Sequence, residues 1–167
     1  MGSDALEMLR IEAGYILAGV DFMPIMQTVR STHGRSPLEL GLDWLVDFKK
    51  PVFNGKKALL REKENGSRYR LVKLDIEGNK PANSAYVFDL KEKHIGWITS
   101  AMWSPSAKAN IALATVECPH GEIGEEMLVE IYYQRELKWS RFMANARVVK
   151  DPFWDPPRRR QTPPADF

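Results

Sequence analysis

The sequence predicts an α+β chain in two parts: a short-helix segment first, then a six-stranded antiparallel β-barrel. Two observations carry that prediction. Helix-period apolar stripes with start and stop signals lie before residue 66, whereas from residue 67 the apolar period switches to two. Six expected strands, three of them with clear period-two alternation, then follow over about 80 residues with short loops between them, the pattern of a small closed or nearly closed barrel. At 167 residues the chain is long enough to bury a sizeable core.

Asp4-Ala5-Leu6-Glu7 fits a capping box, with Asp4 as N-cap and Glu7 at the third helical position. Ala5, Leu6, Met8, Leu9 and Ile11 give the stripe, and Gly14 suits the left-handed position that ends a helix. Arg10 falls in the last turn, where a cation favours the helix dipole and can pair locally. Residues 15–35 are poorly patterned. Ser36-Pro37-Leu38-Glu39 repeats the helix-start logic, and Gly41 keeps that helix short. Trp44, Leu45, Val46 and Phe48 read as a buried strand. Asn54-Gly55 turns the chain into a helix from about Lys56 to Glu64, and Asn65-Gly66 ends it. With so few strands, this first part looks unable to close a sheet of its own.

In the second part, Val72, Leu74 and Ile76 alternate with Leu71, Lys73 and Asp75. Met127, Val129, Ile131 and Tyr133 do the same, as do Phe142, Ala144, Ala146 and Val148, which should face inward. Further strands are expected at 85–88, 94–100 and 111–116. After Lys150, five prolines and Arg158-Arg159-Arg160 predict an extended, partly disordered tail.

Hydrophobic residues make up 44% and charged residues 28%, the balance of a folded, soluble chain. No apolar run nears the ~20 residues of a spanning helix, and the start carries no signal pattern. No membrane association and a cytoplasmic location are therefore expected. The net charge of +2 hides a basic stretch, Asp47 to Lys73, with nine cations against three acids. It reads as a solvated face, or as a patch for a polyanion. Without aromatics among the lysines it does not read as a nucleic-acid site. Glu117 to Glu130 holds five glutamates and no Lys or Arg.

Cys118 is the single cysteine, which excludes an intrachain disulfide. Cys118-Pro119-His120 has no second pair to complete a metal site, so no metal is expected. His33, His94 and His120 are scattered and show no carboxylate partner, and Glu7 and Glu12 do not share a helical face. No catalytic residue is therefore assigned.

Several short motifs nevertheless occur in a telling order. They are Leu9-Arg10-Ile11-Glu12-Ala13-Gly14, Ser36-Pro37-Leu38-Glu39, Gly41-Leu42 with Trp44, and Phe53 with Gly55-Lys56 and Ala58-Leu59. Ile95-Gly96, Ile98-Thr99-Ser100, the segment from Ser104-Pro105 to Ala114, Gly124 and Pro152-Phe153 follow. Each is weak alone. Together they resemble the C-terminal portion of the aminomethyltransferase family, which includes the glycine-cleavage T-protein and tetrahydrofolate-dependent demethylases. Glu12-Ala13-Gly14-Tyr15-Ile16-Leu17 is closer to the demethylase branch.

The resemblance implies that residues 1–66 are the end of a folate-binding domain, 67–150 a C-terminal barrel and 151–167 a Pro/Arg-rich tail. It implies tetrahydrofolate as cofactor and one-carbon transfer to folate as the reaction. The family's catalytic aspartate and pterin-binding glutamate lie upstream of the first helix here. Leu6 stands where the T-protein has a substrate-contacting arginine, Arg158 where it has a tyrosine, and Trp103 replaces a small residue or proline. The expected folate-binding residues are Tyr15 and Trp103, whose rings can stack on a pterin, and Arg158, which can pair with a carboxylate. The chain is expected to be inactive or poorly active alone, with its apolar faces covered by a separate N-terminal polypeptide or a second copy. The alternative is a non-catalytic folate-binding or scaffold protein that keeps the barrel.

Overall fold

The computed structural model describes residues 2–30, 34–80, 82–150 and 152–162, with the backbone alone at Arg135 and Arg159. His33 and the final prolines, Pro163 and Pro164, lie outside the described residues. Two helices, α1 (Ser3–Glu12) and α2 (Lys56–Asn65), precede six strands. These are β1 (Tyr69–Ile76), β2 (Tyr86–Phe88), β3 (His94–Ser104), β4 (Ala109–Glu117), β5 (Glu126–Arg135) and β6 (Lys138–Val149). They close into an antiparallel barrel in the order β1-β4-β3-β2-β5-β6, with β6 returning to β1.

The alternating positions behave as the sequence predicts. Val72, Leu74, Ile76, Met127, Val129, Ile131, Ala144, Ala146 and Val148 are buried in one interior cluster, and Phe142 packs against it. Strands β3 and β4 run beyond the expected 94–100 and 111–116. Their pairing continues through Ser104 opposite Ala109, just before and after the turn at 105–108. Strand β4 is buried from Asn110 to Val116 because both of its faces are covered. Ala112, Ala114 and Val116 point into the barrel, while Ile111 and Leu113 meet Ile11 of α1 on the outside. A strand covered on both sides needs a continuous apolar run, and Ile111–Ala114 supplies it.

Gly96 faces Val116 across the β3–β4 ladder. A Cβ there would lie 2.1 Å from the Thr115 carbonyl oxygen, so this close backbone approach requires glycine.

Helix α1 ends as expected. Gly14 has φ +73°, its N–H donates to the Ile11 carbonyl and the Tyr15 N–H to the Arg10 carbonyl, a Schellman cap. Its start differs from the reading above. Gly2 is the N-cap and no side chain caps the helix, so Asp4 sits in the first turn and Glu7 turns to Arg10. Local hydrogen-bonding spacing was right for a box, but the helix begins two residues earlier than the box requires.

The Ser36 box does form. The Ser36 N–H donates to Glu39 Oε2 and the Glu39 N–H to Ser36 Oγ, both at 3.1 Å, around one turn that continues no further. The strand expected at Trp44–Phe48 does not exist. Asp43–Leu45 is a 3₁₀ turn, with Trp44 and Leu45 exposed. A closed barrel has no free edge to receive another strand, and among the described residues before β1 only isolated bridges occur. In the tail, Pro157–Arg160 forms a 3₁₀ turn rather than extended chain.

Candidate functional site

The Leu9–Gly14 and Thr99–Pro105 motifs meet in space. Arg10 reaches from the last turn of α1 to the bulged part of β3, donating from Nη2 to Ser100 Oγ at 2.5 Å. Its Nη1 donates to Asp21 Oδ2 at 2.6 Å, and Glu7 also pairs with it. Asp21, 3% exposed, accepts three further hydrogen bonds besides that from Arg10: from the Leu17 N–H at 2.8 Å and from Thr99 Oγ1 and Ser100 Oγ, each at 2.6 Å. Two residues further along α1, the buried Glu12 accepts from Ser104 Oγ at 2.5 Å. Burial works against the Arg10 charge, but hydrogen bonds and charges from Glu7 and Asp21 outweigh it and raise its pKa. Arg10 is thus a structural tie, more extensive than the local pairing its helix position predicts.

A buried cluster of charged and hydroxyl groups can look like a reaction centre. Here every Asp21 oxygen is occupied by fixed donors, which leaves no free lone pair aimed at a ligand. The cluster joins helix to barrel. Asp21 was missed in the sequence because it follows apolar, glycine-rich residues. The one signal was polar Thr99-Ser100 inside an otherwise apolar strand.

The acidic stretch is likewise absorbed. Arg70 pairs with Glu122 at 2.6 Å, Arg147 with Glu126 at 2.8 Å, and Arg141 with Glu130. His120, expected to lack a carboxylate partner, has Nδ1 2.8 Å from Glu125 Oε1. The intervening turn brings them together. Burial pushes the Glu125 carboxyl up, but the His120 ring and the N–H groups of Gly121 and Glu122 pull it further down, for a net lowering. Burial pushes the Cys118 thiol up. Among the described residues no group of three or more His, Cys, Asp or Glu is placed to hold a metal ion.

The three expected folate-binding residues do not share a cavity. Tyr15 lines a cleft of about 620 Å³ beside the end of α1, with Trp44, Arg70, Lys73, Ile123 and Lys150. Trp103, 39% exposed near the end of β3, lines a separate open hollow with Asp75, Glu77 and Asn110. Arg158 is exposed on the 3₁₀ turn of the tail and lines neither. Trp44 joins Tyr15 because the expected strand is a turn, which presents the indole outward. The cleft therefore combines two largely exposed rings with three cations, of which Arg70 is tied to Glu122 and Lys73 donates to the Lys150 carbonyl at 2.9 Å.

A family model, the glycine cleavage T-protein C-terminal barrel domain, matches residues 69–155, just over half of the chain. The chain belongs to the glycine-cleavage T-protein family. It is 34% identical over 154 residues to an aminomethyltransferase of Desulforamulus reducens, covering 92% of this chain and 38% of that protein. It is 39% identical over 162 residues to a trimethylamine-oxide aldolase of Ruegeria pomeroyi, covering 96% of this chain but 19% of the relative. The crystal structure of the glycine cleavage system aminomethyltransferase T from Bartonella henselae superposes with a TM-score of 0.71 at 28% identity. It covers 90% of this chain and 38% of that one. The chain thus spans well under half the length of these relatives, and the shared stretch includes the helical segment as well as the barrel.

Proposed function

We propose that this chain is the barrel-bearing part of a tetrahydrofolate-dependent one-carbon transferase, and that its Tyr15–Trp44 cleft contributes to the folate site. The observation that carries the reading is that cleft. Flat aromatic walls suit a pterin or benzoyl ring, and Arg70, Lys73 and Lys150 suit a carboxylate tail. Its volume lies within the range of small-molecule sites. Tetrahydrofolate would supply the nitrogen that accepts the one-carbon unit; the chain's residues would stack against its rings and neutralise its charge. Tyr15 keeps its expected role, while Trp103 and Arg158 are not among the lining residues of the cleft.

The carboxylate that lines the cleft, Glu122, pairs with Arg70 at 2.6 Å. On this reading the chain binds folate without turning it over alone. The likeness to a trimethylamine-oxide aldolase favours a methylated amine as the source of the one-carbon unit. The exposed apolar residues of the first segment are the surface that a complementary N-terminal region, or a second copy, would cover.

Titration with tetrahydrofolate, followed by NMR into the millimolar range, tests the reading. Saturable binding weaker than about 100 µM is expected, further weakened by Tyr15→Ala or Trp44→Ala, because part of a site gives part of the affinity. No binding at millimolar ligand, or micromolar binding indifferent to both substitutions, would contradict it.

A further inference from the structure

A second cleft opens on the other side of the start of β1, about 450 Å³ in volume, lined by Phe22, Met23, Arg35, Arg68, Tyr69 and Trp97. Tyr69 and Trp97 flank β4 at its end, opposite Glu117 and Thr115 respectively. Their rings meet edge to face with centroids 5.7 Å apart. Two guanidinium groups lie against this pair. Arg35 Cζ is 4.2 Å from the Tyr69 ring centre and 5.7 Å from that of Trp97, and Arg68 Cζ is 4.9 Å from Tyr69.

Among the described residues, the two arginines are not hydrogen-bonded to the carboxylates around them. The nearby carboxylates are engaged elsewhere: Asp21 by Arg10 and two hydroxyls, Glu39 by the N–H groups of Ser36 and Tyr69, and Glu62 by the hydroxyls of Ser36 and Ser67. Neither Arg35 nor Arg68 forms an ion pair among the described residues, and Arg35 donates within the protein to the Gly34 carbonyl at 3.2 Å. A guanidinium stacked on a ring keeps its N–H donors pointing outward in its own plane. Two such forks beside apolar walls are matched by an oxyanion attached to a flat apolar body.

We propose that the Arg35–Arg68–Tyr69–Trp97 cleft is a binding site for an amphiphilic organic anion, a carboxylate or phosphate on an aromatic body. It is separate from the Tyr15 cleft: the two share no lining residue. The arginines take the oxyanion, while Phe22, Met23 and the exposed edge of Trp97 cover the apolar part.

Calorimetric titration with 1-naphthoate, 1-naphthyl phosphate, neutral 1-naphthalenemethanol and inorganic phosphate tests this. Both aromatic anions should bind at least about tenfold tighter than the alcohol, and naphthyl phosphate at least about tenfold tighter than inorganic phosphate. Whichever aromatic anion is tighter identifies the head group. Arg68→Ala, at an exposed position between α2 and β1, should weaken the anions about tenfold with an unchanged melting temperature. Arg35→Lys, which keeps charge but loses the fork, should weaken them less than Arg35→Ala. Equal affinity for anion and alcohol, equal affinity for naphthyl and inorganic phosphate, or anion binding untouched by Arg68→Ala would each overturn the proposal.

Discussion

The barrel and the segment before it treat their apolar residues in opposite ways. Among the described residues, every fully buried hydrophobic side chain except Ile11 lies between Val72 and Val148. Before the barrel, Leu6, Val20, Ile25, Met26, Val29, Trp44, Leu45 and Val52 stand largely in solvent. The barrel satisfies its own backbone and fills its own interior. Among the described residues the preceding segment has one fully buried apolar anchor, Ile11. It also has a buried polar junction with β3, made by Arg10 and Asp21 with Thr99 and Ser100 and by Glu12 with Ser104. Stability in this chain should therefore come from the barrel and from that one junction, while the exposed surface of the first segment contributes little.

The largest expected effect comes from breaking the junction. Asp21→Ala removes the partner of a buried guanidinium and should cost about 3–5 kcal/mol by chemical denaturation. A loss below about 1 kcal/mol would mean that the helix is not held through this pair. Next, Leu113→Ala beneath α1 should cost about 2–5 kcal/mol, whereas Leu45→Ala, the same change in an exposed turn, should stay within about 0.5 kcal/mol. Equal costs at the two sites would erase the contrast between the regions. Gly96→Ala pushes a methyl group into the β4 backbone and should cost about 1–3 kcal/mol or more.

The smallest effect concerns pH. The lowered pKa of Glu125 means that its contribution is present above the ordinary glutamate value of 4.5 and is lost as pH falls through its folded value. The stability gap between the parent protein and Glu125→Gln should thus narrow below about pH 4.5 in acid melts. A gap that widens there would reverse the sign.

Much of this was legible in the sequence, for reasons that differ by element. The strands at 69–76, 126–135 and 138–149 show in the alternation because one face is wet and the other packed. Trp44–Phe48 misled because a short apolar run has the same appearance in a strand, a core or an exposed turn, and only the closure of the barrel decides. The order of motifs pointed to the family before the physical link between them could be seen. Arg10 and Ser100 are ninety positions apart, and no local pattern encodes their contact. The Tyr15 cleft was half legible: Tyr15 was expected, but Trp44 had been assigned to a buried strand. The Arg35–Tyr69–Trp97 grouping was invisible, since its members come from a loop and two strands that neighbour β4.

Native-state hydrogen exchange compares the two regions most directly. Amides of Leu74, Ala112, Leu113 and Ile131 should exchange only through global unfolding, whereas those of Val20, Leu45 and Phe48 should open at far lower free energy. Amides near the α1–barrel junction, such as that of Tyr15, should fall between the two sets and drop to the lower one in Asp21→Ala. Uniform protection across residues 15–150, or an Asp21→Ala variant that leaves the Tyr15 amide unchanged, would contradict the account.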